Sequence, residues 1–243
     1  MKQNILAMTL LAAAAWILLP ACGPNADKNA GLQAPETTQT PTVLAADGGA
    51  DKNKTVEADS KAATIKNLQA AFTGETTASA KYAAYSKKAQ EEGFTQIALL
   101  FKATSASEKI HANNLRAVLE DMGQSVPDVK PEYEVKTTKE NLADAISGES
   151  YEIETMYPEF MTAANSADNP LALTSLNYAY RTEQIHKPMY EKALAALQGN
   201  QVGTLSVKYY VCPTCGNTYD STPPKRCRIS MTNSERFVEI SAL

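Results

Sequence analysis

The chain contains two histidines, and each closes a Glu-x-x-His tetrad: Glu108-Lys109-Ile110-His111 and Glu183-Gln184-Ile185-His186. Residues three apart on a helix share a face, so each tetrad can aim a carboxylate and an imidazole at one point. Glu75 stands 33 residues before Glu108, and Glu149 stands 34 before Glu183, each inside a Gly-Glu dipeptide. The two halves form an internal repeat: a helix with one Glu, then a helix with Glu-x-x-His. That arrangement lets a four-helix bundle hold two metal ions in its core.

Four amphipathic segments are needed to position these side chains, and the apolar spacing supplies them. The first is expected over Ala62 to Glu92, with Leu68, Phe72, Tyr82, Tyr85 and Ala89 on the stripe of Glu75 and Gly93 as its C-terminal cap. The second runs from Thr95 to Met122, with Ile97, Phe101, Leu115 and Val118 inward alongside Thr104, Glu108 and His111. A long turn, Gly123 to Lys139, holds Pro127 and Pro131 and is expected to cross the bundle. The third helix, Glu140 to Asn165, aligns Leu142, Ile146, Met156, Tyr157 and Phe160 with Glu149, and Glu152 follows three residues later. Asn169-Pro170 reads as cap and first residue of the fourth, which extends to Gln198 with Leu173, Leu176, Tyr180, Leu194 and Leu197 on the face of Glu183 and His186. Pro188 interrupts that pattern, and either a kink beside the metal or a bend fitting the bundle end would accommodate it.

Five glutamates, Glu75, Glu108, Glu149, Glu152 and Glu183, thus share a core with both imidazoles. Uncompensated, each buried ion would cost several kcal/mol, about the scale at which cations become the economical explanation. Carboxylate-rich sites with one or two imidazoles suit iron or manganese. A net charge of −4 and the lack of a basic stripe exclude nucleic acid as a partner.

Ala71-Phe72-Thr73-Gly74-Glu75, Glu91-Glu92-Gly93-Phe94, Gly148-Glu149-Ser150-Tyr151-Glu152 and Met156-Tyr157-Pro158-Glu159-Phe160, with the first tetrad, resemble the rubrerythrin family. The resemblance covers Ala62 to the C-terminus. It implies an all-α, ferritin-like four-helix bundle over residues 61–200, followed over 204–243 by a small rubredoxin-like β/knuckle domain. It further implies a homodimer with two irons per site, reducing hydrogen peroxide with an electron donor the sequence does not name. Carried over residue by residue, Glu108 and Glu183 would bridge the irons, Glu149 and His186 would bind one and Glu75 the other. That second iron would exchange Glu152 for His111 on reduction. Tyr82 and Tyr157 correspond to tyrosines beside the family's site, and either hydrogen bonding to the ligands or plain core packing suits them. An iron-binding or iron-oxidising lipoprotein without peroxidase turnover is the alternative; a plain four-Glu, two-His site has no need of Glu152.

Cys212-Pro213-Thr214-Cys215 looks like the first knuckle of a rubredoxin, in which two thiolates grip one iron. Cys227 begins the second knuckle, and Ser230 stands where the fourth thiolate belongs. Three outcomes are open: ligation by Ser230 oxygen, three thiolates holding iron or zinc with water, or a metal-free domain with two cysteines paired in an oxidising compartment.

At the other end, Lys2 precedes an uncharged run from Ile5 to Ala21 that closes on Leu19-Pro20-Ala21-Cys22. A basic start, a short apolar core and a small residue at the cleavage position describe a signal peptide over residues 1–21. Leu-x-Ala-Cys resembles a bacterial lipobox, which implies lipidation of Cys22, export, and a membrane-anchored protein facing the periplasm or cell exterior. Residues 22–60 lack large apolar side chains and read as a flexible tether.

Overall fold

The computed structural model describes residues 49–243, with side chains from residue 57 onward. The signal peptide, Cys22 and most of the tether lie outside the described residues. Helix α1 spans Gly49–Glu91, α2 Thr95–Asp121, α3 Thr138–Tyr151, α4 Tyr157–Ser166 and α5 Pro170–Gln198. A π-helical turn, Glu152–Met156, joins α3 to α4, so that together they form the third rod of a four-helix bundle. Among the described residues, no helix is long and apolar enough to cross a membrane.

Local sequence explains where most of these rods begin and end. Gly93, at φ +84°, closes α1 as the Phe94 amide bonds back to the Ala89 carbonyl. Thr137 and Glu140 cap α3 reciprocally, each side chain satisfying the other's backbone amide. The Asn169 side chain accepts from the Ala172 amide at the start of α5, with Pro170 in the first turn. Helix α5 runs unbroken through Pro188.

Two expectations need correction. Helix α1 starts at Gly49, so residues 49–60, read as tether, are its first turns. Ala, Lys and Glu make up under half of this stretch, beside Gly, two Asp, Asn, Thr, Val and Ser, so its own propensity is weak; absence of core residues nonetheless says nothing against a helix that extends from a packed one. The third rod is also not one uniform α-helix. Pro158 has no amide to give, and the Tyr157 amide reaches the carbonyl of Glu152, five residues back, which widens the turn to π geometry.

The core divides into two apolar clusters. One gathers Tyr82, Tyr85, Phe101, Leu142 and Tyr190. The other gathers Leu68, Phe72, Leu115, Tyr157 and Leu176. On every rod the site glutamates, Glu75, Glu108, Glu149 and Glu183, fall at the seam, between a residue of one cluster and a residue of the other. Dry walls therefore flank the charged layer on both sides.

The C-terminal region adds a small antiparallel sheet of order β2-β1-β3, from β1 Tyr209–Val211, β2 Thr218–Tyr219 and β3 Val238–Ile240. Its two-residue and three-residue strands have little core of their own, and Cys212, Cys215 and Cys227 lie fully buried among Tyr178, Ile229 and Phe237. Tyr178 belongs to α5, so the domain packs directly on the bundle.

Candidate metal centre

Glu75 comes from α1, Glu108 and His111 from α2, Glu149 from α3, and Glu183 and His186 from α5; all six are buried. Their donor atoms converge in two overlapping groups. Glu75, Glu108, His111 and Glu183 form one, and Glu108, Glu149, Glu183 and His186 the other. Glu108 and Glu183 belong to both.

The fit to metal can be judged from the polar atoms alone. His111 Nδ1 lies 3.0 Å from both Glu108 Oε2 and Glu183 Oε1 and 3.5 Å from Glu75 Oε1. His186 Nδ1 lies 2.7 Å from Glu183 Oε2 and 3.2 Å from Glu108 Oε1. Despite these short separations, Glu75 Oε2, both Glu108 oxygens, Glu149 Oε2, Glu183 Oε1 and His111 Nδ1 are buried without a well-directed hydrogen bond. Orphaned buried acceptors are rare and costly. Here they point at common centres, as ligands of a cation would. Four carboxylates would balance the charge of two divalent ions.

The remaining polar atoms are satisfied in ways that hold the donors in place. Tyr82 donates its hydroxyl hydrogen to Glu149 Oε1 at 2.9 Å, and Tyr157 donates to Glu75 Oε1. Tyr190, which the sequence reading passed over, packs edge-on against Tyr82 and donates to Thr104 at 2.6 Å. Burial raises all three phenols, with Glu149 or Glu75 adding to it, so they remain hydrogen donors.

Charge is strongly coupled in the centre without metal. Burial pushes Glu75 up to about 7 against the opposing pull of His111. Burial would also raise Glu183, but His186 and His111 outweigh it and hold that carboxyl below its usual range. His186, pressed down by burial, is lifted to about 9 by Glu108 and Glu183. These shifts show carboxylates and imidazoles competing for protons where a cation would neutralise them.

Glu152 falls outside both donor groups. It is half-buried on the π turn. Burial, reinforced by the field of Glu75, Glu183 and Glu108, raises its carboxyl well above the usual range. His111 thus stands among the donors, with Glu152 adjacent to them.

The C-terminal knuckle closes over the outer edges of both imidazoles, a contact that no short-range pattern announces. His111 Nε2 lies 3.1 Å from the Cys215 carbonyl, and His186 Nε2 lies 3.0 Å from Thr218 Oγ1. A carbonyl only accepts, so His111 must carry a hydrogen on Nε2, which leaves Nδ1 to face the carboxylates and, once deprotonated, to ligate a cation. Thr218 spends its own hydrogen on the Gly216 carbonyl at 3.2 Å, so its oxygen is free to accept from His186 in the same sense. Ser107 donates to Gly216 O at 2.8 Å, and Thr182 shares its hydrogen between Tyr178 O at 2.9 Å and Cys215 O at 3.1 Å. The residue before each tetrad's Glu is therefore a hydroxyl that grips the knuckle, the one sequence signal that could have revealed the contact. Gly216, at φ +79°, permits it: a Cβ there would lie 2.4 Å from His111 Nε2.

In the knuckle, Cys212, Cys215 and Cys227 are free and buried, with sulfurs close enough to share one ion. Ser230 Oγ lies 3.3 Å from Cys212 Sγ.

Comparison with known proteins agrees with this geometry. The Rubrerythrin family model matches residues 66–194. Nigerythrin from Nitratidesulfovibrio vulgaris is 34% identical over 210 residues, covering 82% of this chain and 96% of its own. Rubrerythrin-2 from Clostridium acetobutylicum is 31% identical over 177 residues, covering 72% and 96%. The solved structure of nigerythrin in its mixed-valence state aligns with a TM-score of 0.66 at 32% identity, over 72% of this chain and 86% of that one. A bacterioferritin from Mycobacterium tuberculosis, 19% identical with a TM-score of 0.52 over 56% of this chain and 86% of its own, shares the fold alone. With two donor groups bridged by shared glutamates on this bundle, and relatives that match it along most of their length, the chain belongs to the rubrerythrin family of di-iron proteins, which serve in oxidative-stress defence.

Proposed function

We propose that the protein reduces hydrogen peroxide to water at the di-iron centre, drawing electrons through its C-terminal domain from an external donor. The observation that carries this reading is the fifth carboxylate. Four glutamates and two imidazoles are enough to hold two irons, yet Glu152 is kept half-buried beside them on a π turn. When bound, the two ferrous ions supply the two electrons and the Lewis acidity that break an O–O bond.

The chain's own groups prepare that chemistry. Tyr82 and Tyr157 fix one oxygen each of Glu149 and Glu75, leaving the other oxygen of each for metal. The Cys215 carbonyl and Thr218 hydroxyl fix both imidazole tautomers. The apolar clusters on either side exclude bulk water. Oxidation adds positive charge, which favours a further carboxylate over a neutral imidazole. Glu152 replacing His111 would meet that demand, and reduction would reverse it. The contact between knuckle and imidazoles supports electron entry from that side.

The lipobox-like Leu-x-Ala-Cys22 supports export and a lipid anchor as part of the same proposal. A protein so placed would meet peroxide before it enters the cell, as a homodimer if it assembles as the resemblance implies.

A second reading, an iron-binding or iron-oxidising lipoprotein without peroxide turnover, is favoured by Ser230, because the electron-delivering domain lacks its fourth thiolate. Steady-state peroxide consumption with an artificial one-electron donor tests the choice. Sustained turnover that falls about tenfold or more in Glu152→Ala supports the peroxidase reading. A single stoichiometric turnover, unaffected by that substitution, supports the second.

A further inference from the structure

We propose that Ser230 supplies an oxygen ligand that completes a four-coordinate iron site with Cys212, Cys215 and Cys227. The inference concerns the C-terminal domain alone and does not depend on peroxide being the substrate.

The distances fit a tetrahedron slightly contracted around its centre. With metal–sulfur bonds of about 2.3 Å and a metal–oxygen bond of about 2.0 Å, a tetrahedral site sets sulfurs about 3.8 Å apart and sulfur and oxygen about 3.5 Å apart. Cys215 Sγ and Cys227 Sγ are 3.4 Å apart, and Cys212 Sγ and Ser230 Oγ are 3.3 Å apart. The three sulfurs lie within 4.8 Å of one another.

The backbone gives a second, independent indication. Ile229 directs its amide at Cys227 Sγ from two residues on, at 3.4 Å. Thr232 directs its amide at Ser230 Oγ from two residues on, also at 3.4 Å. Ser230 thus receives the amide support that a ligating thiolate receives in the same loop, although its own side chain is an alcohol. Both histidines are committed to the bundle, so no imidazole competes for the fourth position.

On ligation to ferric iron, the Ser230 O–H bond breaks, an iron–oxygen bond forms, and the proton leaves to solvent at this half-buried edge. Ligand charge then equals that of four thiolates. Oxygen is a harder donor than sulfur and favours ferric over ferrous iron. The site should therefore have a lower midpoint potential than a four-thiolate centre, making it a stronger reductant towards the bundle it touches.

The test uses the full chain, reconstituted with iron and, separately, with cobalt(II), comparing the unaltered protein with Ser230→Cys and Ser230→Ala. The unaltered protein should show thiolate-to-iron charge-transfer bands at shorter wavelength than Ser230→Cys, with a lower midpoint potential. Its cobalt form should keep a tetrahedral spectrum with roughly three quarters of the thiolate charge-transfer intensity of Ser230→Cys, reflecting three thiolates against four. Ser230→Ala should lose iron from this site or change both band position and potential. Should Ser230→Ala fail to fold, Ser230→Gly takes its place as the variant without the oxygen, because three thiolates with a water would match the cobalt spectrum of the unaltered protein. No thiolate bands in the unaltered protein where Ser230→Cys has them, or identical bands and potential in the unaltered protein and the variant without the Ser230 oxygen, would overturn the proposal.

Discussion

His111 Nε2 rests 3.1 Å from the main-chain carbonyl of Cys215, so the residue that faces the candidate metal centre with one ring nitrogen holds the C-terminal knuckle with the other. Like His186 through Thr218, this imidazole links the bundle to the C-terminal domain. Its tautomer, its orientation and its route to the knuckle are all set by that single hydrogen bond, supported by Ser107 and Thr182 on either side.

Gly216→Ala should disturb this link specifically. The new methyl would meet His111 Nε2 at 2.4 Å and Ser107 Oγ at 2.6 Å, on a backbone at φ +79° that disfavours any side chain. We expect a loss of about 1–3 kcal/mol from the backbone conformation alone, read as a lower Tm. Enzymatic reduction of the di-iron centre should slow by about tenfold or more, while peroxide still oxidises chemically reduced protein.

Glu108→Ala or Glu183→Ala removes a donor common to both groups. Each should lose both irons, not one, with iron affinity falling by well over the roughly tenfold to hundredfold that loss of a mere supporting partner costs. Metal analysis after desalting checks it. His111→Ala, by contrast, should retain iron because Glu152 is adjacent, but turn over slowly.

Tyr157→Phe leaves Glu75 Oε1 buried without its donor. A loss of about 1–3 kcal/mol in the metal-free protein is expected from the unmet acceptor. Iron loading should recover part of it by turning Glu75 towards the cation, so the difference in Tm between mutant and parent should shrink on loading.

The metal-free protein should lose stability as pH rises. Glu75 is raised by burial from 4.5 to about 7, and His186 is raised from 6.5 to about 9 by Glu108 and Glu183 against the effect of burial. Both bind protons more tightly folded than unfolded. Their contribution is fully present below the unfolded values and is lost as pH passes through the folded ones. Stability of the metal-free form should thus decline between pH 4.5 and about 9, whereas the iron form should decline less because cations replace the protons. Denaturant unfolding across that range, with and without chelator, measures the difference.

The centre was legible in the sequence because the Glu-x-x-His repeat encodes a shared helix face directly, and Gly93 and Asn169-Pro170 encode helix ends through local backbone chemistry. The π turn was not, because Pro158 within the Met156-to-Phe160 stretch signals a disturbed helix without specifying how the chain accommodates it. The docking of the knuckle was hidden for a different reason: His111 and Cys215 are separated by 104 residues, and Ser107 and Gly216 by 109. Periodicity carries no information over such separations. The first turns of α1 read as tether because apolar content predicts burial, whereas a helix already nucleated downstream can extend through polar residues that would not start one.

Stopped-flow oxidation of the diferrous protein by hydrogen peroxide and by oxygen, in parallel, bears most directly on the central claim. Oxidation by peroxide should be faster by about a hundredfold or more, with both irons retained. Oxidation by oxygen as fast as by peroxide, with ferric iron released to solution, would contradict it.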